Sequence, residues 1–313
     1  MAITKELLVH IGYHKTASTW LQENLFDNPD SGFQRFFSQK DARDKIALAN
    51  PLDFNAQELK KYYEEQIDSD KYSVISNERL SGNPHSGGYD SKDIADKIHE
   101  AFPEAKILIV IREQRSILFS NYIQYIRAGG PCSIEDYLNP SKRNMATIPL
   151  FNYHHFAYLS LVKYYYKLFG KDKVLVLPYE LFQEDAKAFC QEICKFTGTK
   201  VIEELAFQTR TNRRISTLSS IFLRQSNKLF AKSHFNPSAL SLKKAKAGDG
   251  EGRGNSYKKI LAVDSVIPRP IHKLFDNRLK KIIEAEIGDR YLNSNQELSK
   301  LINYELSDYG YLI

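Results

Sequence analysis

The chain has 313 residues, 42% of them hydrophobic and 26% charged, which supplies enough apolar material for a sizeable core and sets it apart from disordered chains. Its net charge of +6 favours an anionic partner such as a multiply charged nucleotide, an acidic glycan or nucleic acid, with a solvated basic surface as the bland alternative. Three cysteines, an odd number with no metal-ligand spacing completed by nearby histidines, exclude a disulfide-stapled scaffold and read as free thiols in a reducing compartment.

The first apolar run, Leu7 to Ile11, is too short for a signal peptide or a membrane span and predicts a buried strand over 6–11. The chain is accordingly read as cytoplasmic, or as separated from an anchor. Further strands are predicted over 72–76, 106–111 and 173–177. The run from Lys106 to Ile111 has the continuous apolar character of a central parallel strand covered on both faces. Helical patterns lie between, near 18–26, 56–67, 91–101, 113–127 and 152–169. This alternation predicts an α/β fold with a mostly parallel central sheet flanked by helices. Cys190 and Cys194, one helical turn apart, are expected to face the core.

Beyond about residue 200 the pattern turns helical, near 216–231, 271–287 and 295–303. The glycine- and charge-rich run from Lys243 to Gly254 predicts a mobile loop near 243–256. The simplest organisation is one domain over 1–313, with an α/β core over 1–200 and a helical part over 201–313.

The segment from Val9 to Leu21 carries the most chemistry. A buried strand ends at Gly12, a short loop carries His14, Lys15, Thr16 and Ala17, and a helix opens near Ser18, Thr19 and Trp20. Unpaired N–H groups at a helix start and the helix dipole favour an anion there, and Lys15 adds a point charge. This makes the fold P-loop-like. The loop is nevertheless too short for a Walker A sequence, which needs a glycine just before the lysine. Ala17 is expected to forbid the conformations reserved for glycine. The alternative is an ordinary capped helix after a strand.

A second cluster follows the central strand. Arg112 stands at its carboxyl end, where open α/β sheets bind ligands, and Ser120 follows two turns into the next helix. An arginine fork and a serine hydroxyl suit one phosphate. Taken singly, a salt bridge and a polar helix face explain them better than a phosphate site does; the two together, downstream of the first loop, reverse that balance.

Together these segments resemble the PAPS-dependent sulfotransferase family, in its bacterial and carbohydrate-type members. Lys15 to Leu21 is similar to that family's 5′-phosphosulfate loop, and Arg112 with Ser120 to its 3′-phosphate site. Leu177 to Phe182 with Phe196 to Gly198, Arg210 to Ser216, and Tyr291 to Leu298 resemble three weaker family stretches. The R-K-G stretch of the cytosolic members is missing; Arg253-Gly254 is a partial substitute.

The resemblance implies transfer of a sulfuryl group from 3′-phosphoadenosine 5′-phosphosulfate (PAPS) to an acceptor hydroxyl on a glycan, lipid or small molecule, leaving adenosine 3′,5′-bisphosphate. It implies no metal, no nucleic acid and no membrane span. His14, Lys15, Thr16, Ala17, Ser18, Thr19, Trp20, Arg112, Ser120 and Arg213 become the cofactor-binding set, with Lys15 stabilising the leaving oxygen. The leading general base is Glu78, just beyond the second strand, then His85, then His14. For Glu78 the bland reading is an ion pair with Arg79 or Arg112; for His85, an exposed loop position. His154 and His155 read as packing residues. Two rivals remain: a P-loop nucleotide kinase or NTPase, which needs the missing glycine and an acidic second motif, and a non-catalytic nucleic-acid-binding protein, which needs a basic stripe with stacking aromatics.

Overall fold

The computed structural model describes residues 6–67, 70–140, 149–200, 215–230, 233, 235–236 and 267–313. Arg213 and the expected loop near 243–256 lie outside the described residues.

Two compact units emerge: one formed by Met1–Gln114, Asn152–Thr211 and Asp289–Ile313, the other by Arg115–Phe151 and Asn212–Gly288. The first holds a five-stranded, wholly parallel sheet built from β1 (Leu7–His10), β2 (Phe33–Arg35), β3 (Tyr72–Ser76), β4 (Lys106–Ile111) and β5 (Val174–Pro178), in the order β2-β3-β1-β4-β5. The α/β expectation holds, with β1 in the middle. All strands run the same way, so their carboxyl ends share one edge. The chain leaves β1 for β2 and β3 on one side and then crosses to β4 on the other, which is where α/β sheets offer a crevice. The sequence pattern missed β2, a three-residue edge strand.

The short helix α1 (Ser18–Leu21) continues into a wide turn over Gln22–Phe26, and α2 (Gln39–Ala42) does the same over Arg43–Ala47. Helix α3 (Ala56–Gln66) starts where the Asn55 side chain accepts the N–H groups of Gln57 and Glu58, both at 3.1 Å. Helix α4 (Ser91–Ala101) buries Ile94, Ala95 and Ile98 at helical spacing. In the first unit Trp20, Leu21, Leu25 and Phe26 from α1 and its wide turn join Leu8, Val74 and Val110 of the strands in one apolar cluster.

Helix α5 (Gln114–Arg127) leads into the second unit, which continues with α6 (Ile134–Leu138). There the rings of Tyr122, Tyr125, Tyr137 and Phe151 pack with centroids 4.8–5.6 Å apart. Helix α7 (Tyr158–Phe169) returns to the first unit after a 3-10 turn, Tyr153–Phe156, so the helical pattern over 152–169 is interrupted at Ala157. Helices α8 (Tyr179–Glu184) and α9 (Ala186–Thr197) follow β5, and α9 closes on Gly198 in the left-handed conformation (φ 82°). On α9 both Cys190 and Cys194 are buried and unbridged, and burial pushes the Cys190 thiol up to about 12.

Helices α10 (Thr217–Phe230) and α11 (Arg269–Ile287) belong to the second unit, where the Thr217 hydroxyl donates to Asp276. Asn227 of α10 donates to the carbonyls of Ile126 (2.7 Å) and Gly130 (3.1 Å), satisfying the frayed end of α5. Helix α12 (Leu292–Ile302) completes the first unit, its Asn295 held by Gln114 at 2.8 Å and by the Leu312 carbonyl at 2.9 Å. Among the described residues no helix is long and apolar enough to cross a membrane.

Candidate active site

The loop after β1 leaves the sheet as a continuation of its hydrogen-bond ladder. Ile11 donates to the Leu108 carbonyl at 3.0 Å and Tyr13 to that of Val110 at 3.2 Å, while Asn77 donates to the His10 carbonyl at 3.2 Å. The loop is thus anchored to β4 on one side and to the β3 exit on the other. Lys15 (φ 69°) and Ala17 (φ 63°) then adopt left-handed backbone conformations, with Thr16 between them at ordinary φ. Such a conformation costs an L-residue about 1–2 kcal/mol. Alternation of this kind turns successive N–H groups into an anion-binding concavity. The expectation from Ala17 is refined here: the residue reaches the left-handed region that alanine tolerates at a cost.

Each residue of the predicted loop has a definite place. Thr16 is fully buried, and its hydroxyl donates to the Tyr13 carbonyl at 2.5 Å, closing the loop on itself. Ala17 makes no side-chain cap hydrogen bond to α1. The Ser18 hydroxyl is buried without a hydrogen-bond partner among the described residues. Thr19 is exposed. The Trp20 ring lies in the core with its edge on Phe182, centroids 4.9 Å apart. His14 leaves Nδ1 buried and unpartnered, and burial, reinforced by the charges of Lys15 and Arg79, lowers its pKa to about 3.

Arg112, just beyond β4, is brought to this loop. Its Nη1 donates to the Lys15 carbonyl at 2.9 Å and its guanidinium lies 4.7 Å from the Tyr179 ring centroid. Nε is buried and unpartnered. The Tyr158 hydroxyl holds the Arg112 carbonyl at 2.5 Å. Next to it, Glu180 accepts the Glu113 N–H at 3.0 Å and the Tyr311 hydroxyl at 3.2 Å. Burial raises the Glu180 pKa, against the pull of these hydrogen bonds and of Arg112. Ser120 lies on α5 in the second unit, half-buried.

The exit of β3 supplies the remaining residues. Asn77 caps a 3-10 turn, Glu78–Ser81, by accepting the Arg79 N–H at 2.8 Å. Arg79 pairs with Asp90, and Arg112 is engaged as described, so among the described residues neither arginine forms an ion pair with Glu78. Asp90 also accepts the Asn83 N–H at 3.0 Å, which folds residues 82–90 into a closed loop. His85 sits half-buried on a second 3-10 turn, Pro84–Ser86, its N–H bound to Asn83 at 3.0 Å.

His155, read from the sequence as a packing residue, is buried with its ring 4.9 Å from that of Tyr13, and Nε2 has no partner. A Cβ on Gly88 would fall 2.1 Å from its Nδ1, so the 82–90 loop rests directly on the imidazole. Nothing in the local sequence signals that contact. Among the described residues no group of three or more His, Cys, Asp or Glu side chains is arranged to hold a metal ion.

The model of the family described as "Sulfotransferase domain" matches residues 6–249. No curated protein matches the chain. Among solved structures, a sulfotransferase from Alicyclobacillus acidocaldarius superposes with a TM-score of 0.51 at 16% identity, over 67% of this chain and 87% of that one. A mouse sulfotransferase, SULT7A1, complexed with PAP, aligns over 87% of this chain and 88% of its own at 13% identity, with a TM-score of 0.34. With a family model covering well over half of its length, and the lysine loop and strand-end arginine inside the matched region, the chain belongs to the sulfotransferase domain family.

Proposed function

We propose that the protein transfers a sulfuryl group from PAPS to an acceptor hydroxyl by in-line displacement. The observation that carries this reading is the hydrogen bond from Arg112 to the Lys15 carbonyl, which joins two anion-binding elements into one cradle. The groups present suit a doubly phosphorylated nucleotide. Among the described residues the buried Ser18 hydroxyl and Arg112 Nε both lack partners, and a left-handed backbone flanks Thr16. A buried polar atom without a partner costs about 1–3 kcal/mol, a cost that a bound phosphate would remove.

In this reading the loop amides and Ser18 hold the 5′-phosphate, Thr16 shapes the loop from inside, and Thr19 stands at its rim. Arg112 receives the 3′-phosphate, a role the sequence resemblance also gives to Ser120 and Arg213. As the bond between sulfur and the bridging oxygen breaks and the bond from acceptor oxygen to sulfur forms, the Lys15 ammonium stabilises the negative charge left on the 5′-phosphate. Glu78 accepts the acceptor's hydroxyl proton. Its carboxylate engages in no ion pair among the described residues, whereas the weakly basic His14 is a poor proton acceptor. The acceptor is a hydroxyl on a glycan, lipid or small molecule.

Calorimetric titration with adenosine 3′,5′-bisphosphate and with 5′-AMP tests the reading. The bisphosphate is expected to bind more tightly, and Arg112→Ala to abolish that preference. Equal affinity for the two ligands, or magnesium-dependent turnover of ATP, would overturn it.

A further inference from the structure

Beneath the lysine loop lies a buried polar chain that the mechanism above does not use. His10, the last residue of β1, has no exposed surface, and its Nδ1 is 2.8 Å from the Ser76 hydroxyl. Ser76 is its register partner at the end of β3 and is equally buried. From the wide turn after α1, Gln22 directs its amide nitrogen at Ser76, 3.0 Å from Oγ and 3.3 Å from the carbonyl oxygen. A carbonyl only accepts, so the Gln22 amide must present its N–H₂ group here. The Ser76 hydroxyl then accepts from Gln22 and pairs with His10 Nδ1 through its own proton or its second lone pair. The Nε2 edge faces Gly12, where a Cβ would sit only 2.4 Å away.

We propose that Gln22, Ser76 and His10 form a positioning triad that sets the spacing between the anion-binding loop and the β3 exit. The three residues belong to the three segments that deliver the proposed machinery: β1 leads to Lys15, β3 leads to Glu78, and the Gln22 turn continues the helix whose first residue is Ser18. The Nε2 edge under Gly12 fixes the height at which the loop leaves the sheet. A hydrogen-bonded chain inside the core is directional, unlike the apolar packing around it, and so specifies one arrangement. Burial keeps the ring neutral, lowering its pKa to about 3.

This inference rests on the proposed function for its binding readout but has a second readout of its own. The first measurement is the Nδ1 resonance of the His10 ring in the ¹⁵N-labelled full chain and in Ser76→Ala, by long-range proton–nitrogen correlation near neutral pH. Loss of the Ser76 hydroxyl is expected to shift it; an unchanged Nδ1 resonance in the folded variant would overturn the triad. The second is a double-mutant cycle of Ser76→Ala and Gln22→Met on adenosine 3′,5′-bisphosphate affinity, with each variant's folding checked by thermal melting. Each single change is expected to weaken binding roughly tenfold in folded protein, and the pair to weaken it no further than either alone. Unchanged affinity, or additive losses, would count against the triad. Failure of the unaltered protein to bind the bisphosphate would instead count against the proposed function, leaving the Nδ1 resonance to judge the triad.

Discussion

The guanidinium of Arg112 hydrogen bonds to the backbone carbonyl of Lys15, at 2.9 Å, across 97 residues of sequence. It thereby fixes the side chain at the end of β4 against the loop after β1. The contact uses one N–H of the fork and leaves the rest for a ligand.

Arg112→Lys should therefore fail although it keeps the charge. An ammonium cannot at once lie flat on Tyr179, donate to the Lys15 carbonyl and reach a phosphate. Bisphosphate affinity measured by calorimetry is expected to fall roughly tenfold or more, with affinity for 5′-AMP changed much less.

Ala17→Gly should stabilise the protein. Alanine at φ 63° carries a steric cost that glycine avoids. Part of the gain is offset by the extra freedom of glycine in the unfolded chain and by loss of a methyl group packed on the core. A net increase of no more than about 1 kcal/mol in urea unfolding is expected. Ala17→Val should have the opposite sign, since a β-branched side chain suits this conformation poorly.

Stability should fall as the solution becomes acidic. His10, His14 and His155 are each depressed to about 3, with burial the leading cause. The unfolded histidine takes up its proton near 6.5, so between that value and about 3 the unfolded state binds more protons than the folded one. The stability associated with these neutral rings is complete above that window and is lost as pH descends through it. Urea unfolding followed across the window should show this slope, and His155→Phe, which keeps a ring against Tyr13, should flatten it.

Glu78→Gln should separate chemistry from binding. Removal of a general base costs roughly 10²–10⁴ in rate. Since neither Arg79 nor Arg112 pairs with Glu78 among the described residues, bisphosphate affinity and unfolding should change little. The check is release of bisphosphate from PAPS with an acceptor that supports turnover. A loss below tenfold would remove Glu78 from the role.

Much of this was legible in the sequence where local chemistry is decisive. The short apolar runs over 6–11, 72–76 and 106–111 announce strands, the last by its continuous apolar character, and β1, β3 and β4 lie within or coincide with those ranges. Phe33–Arg35 did not announce itself, because three residues at a sheet edge are too few to show a period. The loop lysine and Arg112 were visible as residue types, but their contact was not, since no local rule encodes a bond between chain-distant segments. The left-handed turns at Lys15 and Ala17 run against local propensity and are imposed by the surrounding structure. The pairing of Arg79 with Asp90 and the seating of Gly88 on His155 also depend on how the 82–90 loop closes, which composition does not reveal.

The contact between the His10 ring and the bare α-carbon of Gly12 carries an evolutionary implication. While an imidazole occupies that space, even one methyl group at position 12 must displace it, so the glycine is confined for reasons unrelated to backbone torsion. The two sites cannot drift independently: a smaller residue at position 10 has to arise first before position 12 gains any latitude. Homologous chains that lack the histidine should be the ones in which that glycine varies.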